Sequence, residues 1–587
     1  MIVKNNFKNL FYVFFLVFSF TSISNANFVF GKPYYNRHEI IKVYTDNKRA
    51  EHLKVFKNDS RFSPFEDMEK IHFQQIDVDL KVAYIPLGFN PPTGSYEIKF
   101  YSSKKLLETK KISVYPRKIE KINPPFHSFT VEYGGNLNKI KVGVPSKKGY
   151  SNEKIKELLQ YLNIDNLFFM VGQTNAKLKE VHKDNPWIPE NLTSWKKFNT
   201  KFKDDFTTGG YVGCFLCFGP AISKFPQYEF SYDYSFDYGL YRSNFISIDD
   251  SNRIKDISKL VQKIDDDKDV EFVGLDYIRA GQGGFENYKE FITIFNLDLP
   301  GKSKREKILQ LAKSVKNDRK PNIKKKWEYF RAYKTSQVIE SMANAVDKTI
   351  WVFTLGWEQG HNHGQDPIMF TDAGADVIFV MLYEATHSEY EDMMQSWEKY
   401  LAKTENLQLV IGQDIDYPLN DNPQIRKSGP EEMLKRYKKA YKVFSINDNL
   451  KGFFLHDLVR AFYGRLYPYQ SKEWLYSAGS ALTYFNINSD EYNFSISAEK
   501  TGRNIYFTVK NEYNNSIKLE RVTFRPGYWN KYQYQDIVIE PESEAIFELP
   551  YRYYHRKMER QYITMIFKFD NKNFFKTLYF DSIKYNK

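Results

Sequence analysis

The chain has 587 residues, 42% of them hydrophobic and 27% charged. That is close to the balance of ordinary globular proteins, so a disordered, collagen-like or coiled-coil chain is excluded and several cores can be buried. Lys and Arg outnumber Asp and Glu 85 to 72, a formal charge of +13. The basic residues are scattered among acidic ones, which reads as a solvated surface without a nucleic-acid signature. Two cysteines exclude a disulfide framework. Aromatic residues reach 17%, which fits either a coding bias or a surface on which flat rings stack against sugars; composition does not decide between them.

Residues 1–26 read as a secretory signal peptide. Lys4 and Lys8 come first, an apolar run from Leu10 to Phe20 follows, and Ser24 and Ala26 suit cleavage before Asn27. The apolar run is too short for a comfortable membrane span, no later segment is a better one, and no cysteine marks a lipid anchor. The expectation is an exported protein (periplasmic, cell-surface or extracellular) with no membrane span after cleavage.

From residue 27 to about 118 the pattern is strand-like. Ile71–Phe73, Ile76–Val82 and Ser95–Phe100 alternate with period two, and Pro91-Pro-Thr-Gly94 supplies a turn. The stretch Gly94–Val114 has the look of the closing hairpin of an immunoglobulin-like β-sandwich. Tyr115-Pro116 and Asn123-Pro124-Pro125 then mark a linker. A similar texture returns over 485–587, where Phe494–Ser497, Ile505–Val509 and Ile537–Ile539 predict a second sandwich.

Between them, over 128–470, eight apolar runs recur and most are followed by an amphipathic stretch. They begin at Lys139, Leu167, Tyr211, Val270, Thr349, Asp376, Leu407 and Leu450. Eight such units predict an α/β fold of (β/α)8 TIM-barrel type, flanked by the N- and C-terminal sandwiches. Cys214 and Cys217 lie on the third run, where residues three apart face opposite sides at roughly 10 Å, so two buried free thiols are expected.

In such a barrel the chemistry collects just past the C-terminal ends of the strands. The fourth run ends in Asp276-Tyr-Ile-Arg279. The fifth leads into Gly356-Trp-Glu-Gln-Gly-His-Asn-His363, the sixth ends in Tyr383-Glu384, the seventh in Gln413-Asp414-Ile-Asp416 and the eighth in His456-Asp457. Carboxylates ringed by Trp, Tyr and His are what glycoside cleavage requires: one protonates the leaving oxygen, and a second attacks the anomeric carbon or activates water. Trp357 and Tyr383 are candidate sugar platforms, and Arg279, Glu358, His361, His363, His456 and Asp457 candidate substrate ligands. Gly281-Gln-Gly-Gly284 lacks the Lys and Ser/Thr of a phosphate loop.

The segment Val270-Glu-Phe-Val-Gly-Leu-Asp-Tyr-Ile-Arg279 resembles the fourth strand of bacterial glycosyl-hydrolase-like (β/α)8 barrel families, which carry an Asp-Tyr-Ile-Arg signature. Trp327-Glu-Tyr-Phe-Arg331 and Ala373–Glu384 are similar to the helix before their fifth strand and to their sixth strand. Ala280-Gly281 stands where Tyr-Pro is common in those families. The resemblance covers about 139–464 and implies a secreted carbohydrate-active hydrolase without a cofactor. By analogy with other barrel glycosidases it makes Asp276 the nucleophile and Glu384 the acid/base, with Asp414 and Asp416 as the reserve.

Two other readings of the same residues stay open at this stage. One is a non-catalytic polysaccharide-binding barrel with the sandwiches as spacers. The other is a metal-dependent carbohydrate deacetylase or amidohydrolase using His361, His363, Asp366 and His387, although His-x-His pairs in such barrels usually sit on the first strand. Either way the expected partner is a polysaccharide or oligosaccharide, with no nucleic acid and no metal assigned; the oligomeric state is left open.

Overall fold

The computed structural model describes residues 28–132, 151–175, 186–219, 222–317, 321–383, 385–415, 429–463, 471–489, 492–526, 532–550 and 560–581. The signal-peptide segment, the first expected strand at 139–144, Glu384 and Asp416 lie outside the described residues, as do the side chains of Asp414 and His387.

Eight parallel strands form the centre: β1 (Ser128–Val131), β2 (Asn166–Asn175), β3 (Thr207–Phe218), β4 (Phe272–Asp276), β5 (Thr349–Leu355), β6 (Val377–Met381), β7 (Leu409–Asp414) and β8 (Leu450–His456). Each pairs with its neighbours in sequence, β1 pairs with β8, and the ring closes. Helices cover the outside, so parallel strands buried on both faces must be apolar throughout, as Phe272-Val-Gly-Leu and Val377-Ile-Phe-Val are.

The first strand corrects the sequence expectation. It is Ser128–Val131, immediately after the Pro124-Pro125 linker and upstream of the run at 139–144. Its register is set on both sides, by Ser128 opposite Asn166 of β2 and opposite Phe454 of β8. Four residues, all buried, are too few for a periodicity to show.

The barrel interior is filled by aromatic rings. Phe126, Phe168, Tyr211, Phe272, Trp351, Phe353, Phe379 and Phe454 form one cluster with Met170, Val377 and Val410. The Trp351 and Phe379 centroids lie 4.4 Å apart. Glycines make room: a Cβ on Gly274 would stand 2.3 Å from the Trp351 ring, and one on Gly412 would stand 2.2 Å from the Phe454 ring. Part of the aromatic excess is therefore core packing, a use that neither sequence explanation anticipated.

The helices around the ring are α1 (Asn152–Tyr161), α2 (Pro189–Phe202), α3 (Ser251–Asp265), α4 (Tyr288–Phe295), α5 (Lys304–Val315), α6 (Pro321–Ala343), α7 (Pro367–Ala373), α8 (His387–Leu401), α9 (Pro430–Phe444), α10 (Leu458–Tyr463) and α11 (Ser471–Asn488). Side chains start several of them: Asp250 accepts from Arg253 N, and Ser303 and Thr386 form capping boxes with Glu306 and Glu389. After β3 a hairpin, Phe230–Ser235 and Gly239–Ile246, extends from the rim. Cys214 and Cys217 are both buried on β3 and form no disulfide with each other.

The N-terminal sandwich packs a sheet containing Ile41–Thr45 and Leu80–Ile85 against one containing His52–Lys57, Gly94–Ser102 and Lys105–Tyr115. The alternating run at 76–82 is not one strand: it breaks at an exposed turn where Asp77 Oδ1 accepts from Val78 N, and the two arms pair with each other. This sandwich shares its core with the barrel. Phe65 packs edge-on against Phe295 and Tyr329, and Phe89 against Tyr329. Arg37 donates two hydrogen bonds of 2.8 Å to Asp372, with side chains 4% and 0% exposed. The C-terminal sandwich begins at Phe494, after α11, and packs three strands against four. Among the described residues no helix is long and apolar enough to cross a membrane.

Candidate active site

Chain order and sheet register bring the ends of β1, β4 and β8 to one rim. Asp276 closes β4, opposite Gly213 of β3, and is 8% exposed. Tyr277 has φ 47°, a left-handed conformation that a bulky residue rarely adopts and that is found where the surrounding structure enforces it. Its carbonyl accepts from Phe215 N and Arg279 N, and its N–H donates to Asp276 Oδ1 at 2.6 Å. The turn thus fixes the Asp276 carboxyl and brings Arg279 back beside it.

Burial pushes the Asp276 pKa up to about 6, with Glu132 adding to the rise; Arg279, the Tyr277 N–H and His456 oppose it. Arg279 forms no ion pair with Asp276. Among the described residues its Nε and Nη1 are buried without a hydrogen-bond partner, and the guanidinium lies 5.2 Å from the Tyr277 ring centroid and 5.9 Å from that of Phe245.

Glu132 follows β1 directly and is 5% exposed; its backbone N–H donates to Asp457 Oδ1 at 2.9 Å. His456, at the end of β8, has Nε2 3.5 Å from Glu132 Oε2 and Nδ1 2.7 Å from Thr130 Oγ1. These contacts suit a ring whose Nε2–H faces the carboxylate while Nδ1 accepts from the hydroxyl. The Tyr383 ring lies parallel to that of His456, 5.9 Å between centroids. Tyr211, reaching up from the barrel core, completes the floor. Its hydroxyl is buried with no hydrogen-bond partner among the described residues, and burial raises its pKa well above the ordinary value, with Glu132, Asp276, Asp457 and Tyr383 adding to the rise.

The loop after β5 holds the other expected ligands. Glu358, Gln359 and Gly360 are all left-handed, a turn locked by Gln365, which accepts from Leu355 N and donates to Phe353 O, and by Trp397 Nε1 donating to Gly356 O. Trp357 is half-buried and Glu358 exposed. His361 is engaged elsewhere: Nε2 pairs with Asp366 Oδ2 at 2.8 Å, and its ring stacks on Phe89 of the N-terminal sandwich at 3.8 Å. His363 faces the Arg279 side; burial, then Arg279, Arg331 and Lys316, push its pKa down to about 3, so it is neutral at physiological pH. Among the described residues no group of three or more His, Cys, Asp or Glu is placed to hold a metal.

The structure thus brings together Asp276, Arg279, Tyr383, His456 and Asp457, with His363 beside Arg279, and directs His361 to the domain contact. Sequence reasoning missed Glu132, Thr130 and Tyr211. The signal was Thr130-x-Glu132 just past the proline linker, hidden because the first strand was sought eleven residues later, from Lys139 and not from Ser128. It also missed the hairpin after β3, whose tip exposes Phe236 (76%) and Tyr238 (82%), with Tyr241 partly exposed nearby.

No family model and no curated protein matches the chain. Similar solved structures include a β-galactosidase from Halorubrum lacusprofundi (9% identity, 61% of this chain and 58% of that one, TM-score 0.39). A GH36 α-galactosidase from Geobacillus stearothermophilus has 10% identity over 89% of this chain and 70% of its own, TM-score 0.32. A xylanase and amylase inhibitor protein has 10% identity over 59% of this chain and 97% of its own, TM-score 0.28. At these scores no residue role is carried over.

Proposed function

We propose that the chain is an exported glycoside hydrolase acting on a polysaccharide by two-carboxylate catalysis at the barrel rim. One observation carries the reading: Asp276 is a buried carboxyl with its pKa raised to about 6, on a strand end where Arg279, Glu132 and His456 converge. A carboxyl whose pKa lies near 6 holds its proton in mildly acidic solution and is suited to protonate the leaving glycosidic oxygen. This exchanges the roles expected from the sequence: Asp276 is the acid, and the nucleophile or base is Glu384, next in the chain after Tyr383, with Asp414 and Asp416 in reserve. Tyr383, Trp357, His456 and Asp457 hold sugar hydroxyls.

The aromatic hairpin supports a polymeric substrate. Leaving Phe236 and Tyr238 in water forgoes burial worth roughly 1.5–3 kcal/mol for each large apolar side chain, and exposed apolar clusters mark binding surfaces. The test is a polysaccharide screen with Asp276→Asn and Glu384→Gln as controls. Each substitution should lower turnover by about 10²–10⁴ with circular dichroism unchanged. Full activity in both ends the assignment, and binding without turnover in the wild type makes the barrel a carbohydrate-binding protein.

A further inference from the structure

Three cations surround His363: Arg279, Arg331 and Lys316. Two are engaged. Arg331 donates to the carbonyls of Gly281 and Asn362 at 2.9 and 2.7 Å. Lys316 donates to Gln282 Oε1 at 3.2 Å and lies 3.9 Å from Asp233. Arg279 is the one left over. Two of its nitrogens are buried and unpartnered, and among the described residues no carboxylate accepts from it. Its guanidinium lies over the rings of Tyr277 and Phe245, 5.2 and 5.9 Å from their centroids. A half-buried guanidinium with two unsatisfied nitrogens is disfavoured, and its planar fork matches an oxyanion.

We propose that Arg279 is a subsite for an oxyanion carried by the sugar (a uronate carboxylate or a sulfate ester), so that the substrate is an acidic polysaccharide. This rests on the hydrolase reading above and names the substrate class of the same site. His363, with Nδ1 2.5 Å from Asn362 Oδ1, keeps Nε2 as an acceptor for a hydroxyl beside that anion. Occupancy also acts on the acid. Of the groups facing Asp276, Arg279, His456 and the Tyr277 N–H favour its ionised form, Glu132 opposes it, and the Tyr211 hydroxyl and Cys214 thiol are neutral. An anion on Arg279 offsets the largest of the charges favouring ionisation, so Asp276 takes up a proton as an acidic sugar binds. A neutral sugar does not arm it in this way.

The experiment is calorimetric binding to the full chain of galacturonate, glucuronate and sulfated galactose oligomers, each against its neutral parent. An acidic oligomer should bind at least tenfold more tightly than its parent. Arg279→Gln should abolish the difference and Arg279→Lys should keep part of it, with circular dichroism reporting that both are folded. Binding at pH 7 in two buffers of different ionisation enthalpy should show proton uptake that Asp276→Asn removes. Neutral oligomers binding as well as the acidic ones, or no oligomer binding, overturns the subsite. Acidic oligomers that bind without being cleaved leave the subsite standing and end the hydrolase reading; cleavage of neutral oligomers alone does the reverse.

Discussion

Asp276 sets function against stability at one atom pair. Its pKa in the folded chain is about 6 against 3.8 for an unperturbed carboxyl. Its contribution to stability is therefore fully present below about pH 4, where folded and unfolded chains are both protonated, and is lost as pH rises through about 6. Asp276→Asn should stabilise the protein at pH 8 by up to about 3 kcal/mol, with no gain at pH 4, measured by urea unfolding at the two pH values. His127, fully buried beneath the barrel between Asn486 and the Phe453 N–H, has the opposite sign. Burial lowers its pKa to about 4, so its contribution is present above about pH 6.5 and lost as pH falls through 4. His127→Gln should flatten that acid limb, worth about 3 kcal/mol. Asp276, Arg279 and His456 were legible in the sequence because each ends or follows an apolar run. The Asp276 pKa was not, since it depends first on burial in the closed barrel and then on charges brought there by the fold, among them Glu132 about 140 residues earlier.

Elements set how precisely those residues are held. Strand β4 is apolar up to Asp276 and carries Gly274 at its centre, whose missing side chain admits Trp351 and leaves 2.6 Å between a built Cβ and Tyr211 Cβ. Gly274→Ala should cost about 1–3 kcal/mol by overpacking and also lower turnover, because the side chain it displaces forms the floor under Asp276; thermal unfolding and kinetics together report both. The hairpin after β3 is a separable device. Phe236→Ser with Tyr238→Ser should leave the unfolding midpoint unchanged, since both rings are exposed, while raising KM for polymer and leaving turnover of a short aryl glycoside intact. Seven of the eight strands could be read as apolar runs because parallel strands covered on both faces tolerate little else. The four-residue first strand and the hairpin could not: the former is too short for a pattern, and the latter alternates in a way that fits many surface loops.

Over the whole molecule the three regions were readable from texture alone, strand-like at both ends and alternating in the middle. Their mutual dependence was not, because it lies in pairs distant in sequence. The N-terminal sandwich is no detachable spacer: Arg37 is buried against Asp372, and Phe89 covers the His361 ring in the loop after β5. Arg37→Ala leaves the Asp372 carboxylate buried without its partner and should cost about 3–5 kcal/mol in urea unfolding, whereas Arg37→Met with Asp372→Leu should recover most of it.

That same contact imposes a delay on synthesis. Arg37 and Asp372 are 335 residues apart in the chain. At about 5–20 residues per second, Asp372 is added roughly 20–70 s after Arg37. Until Phe295 and Tyr329 are added the sandwich carries Phe65 and Phe89 without the barrel rings they pack against, and until Asp372 is added Arg37 has no carboxylate to meet. The first domain to be made is therefore among the last to be finished, and a ribosome that stalls anywhere before α7 releases a sticky half-interface.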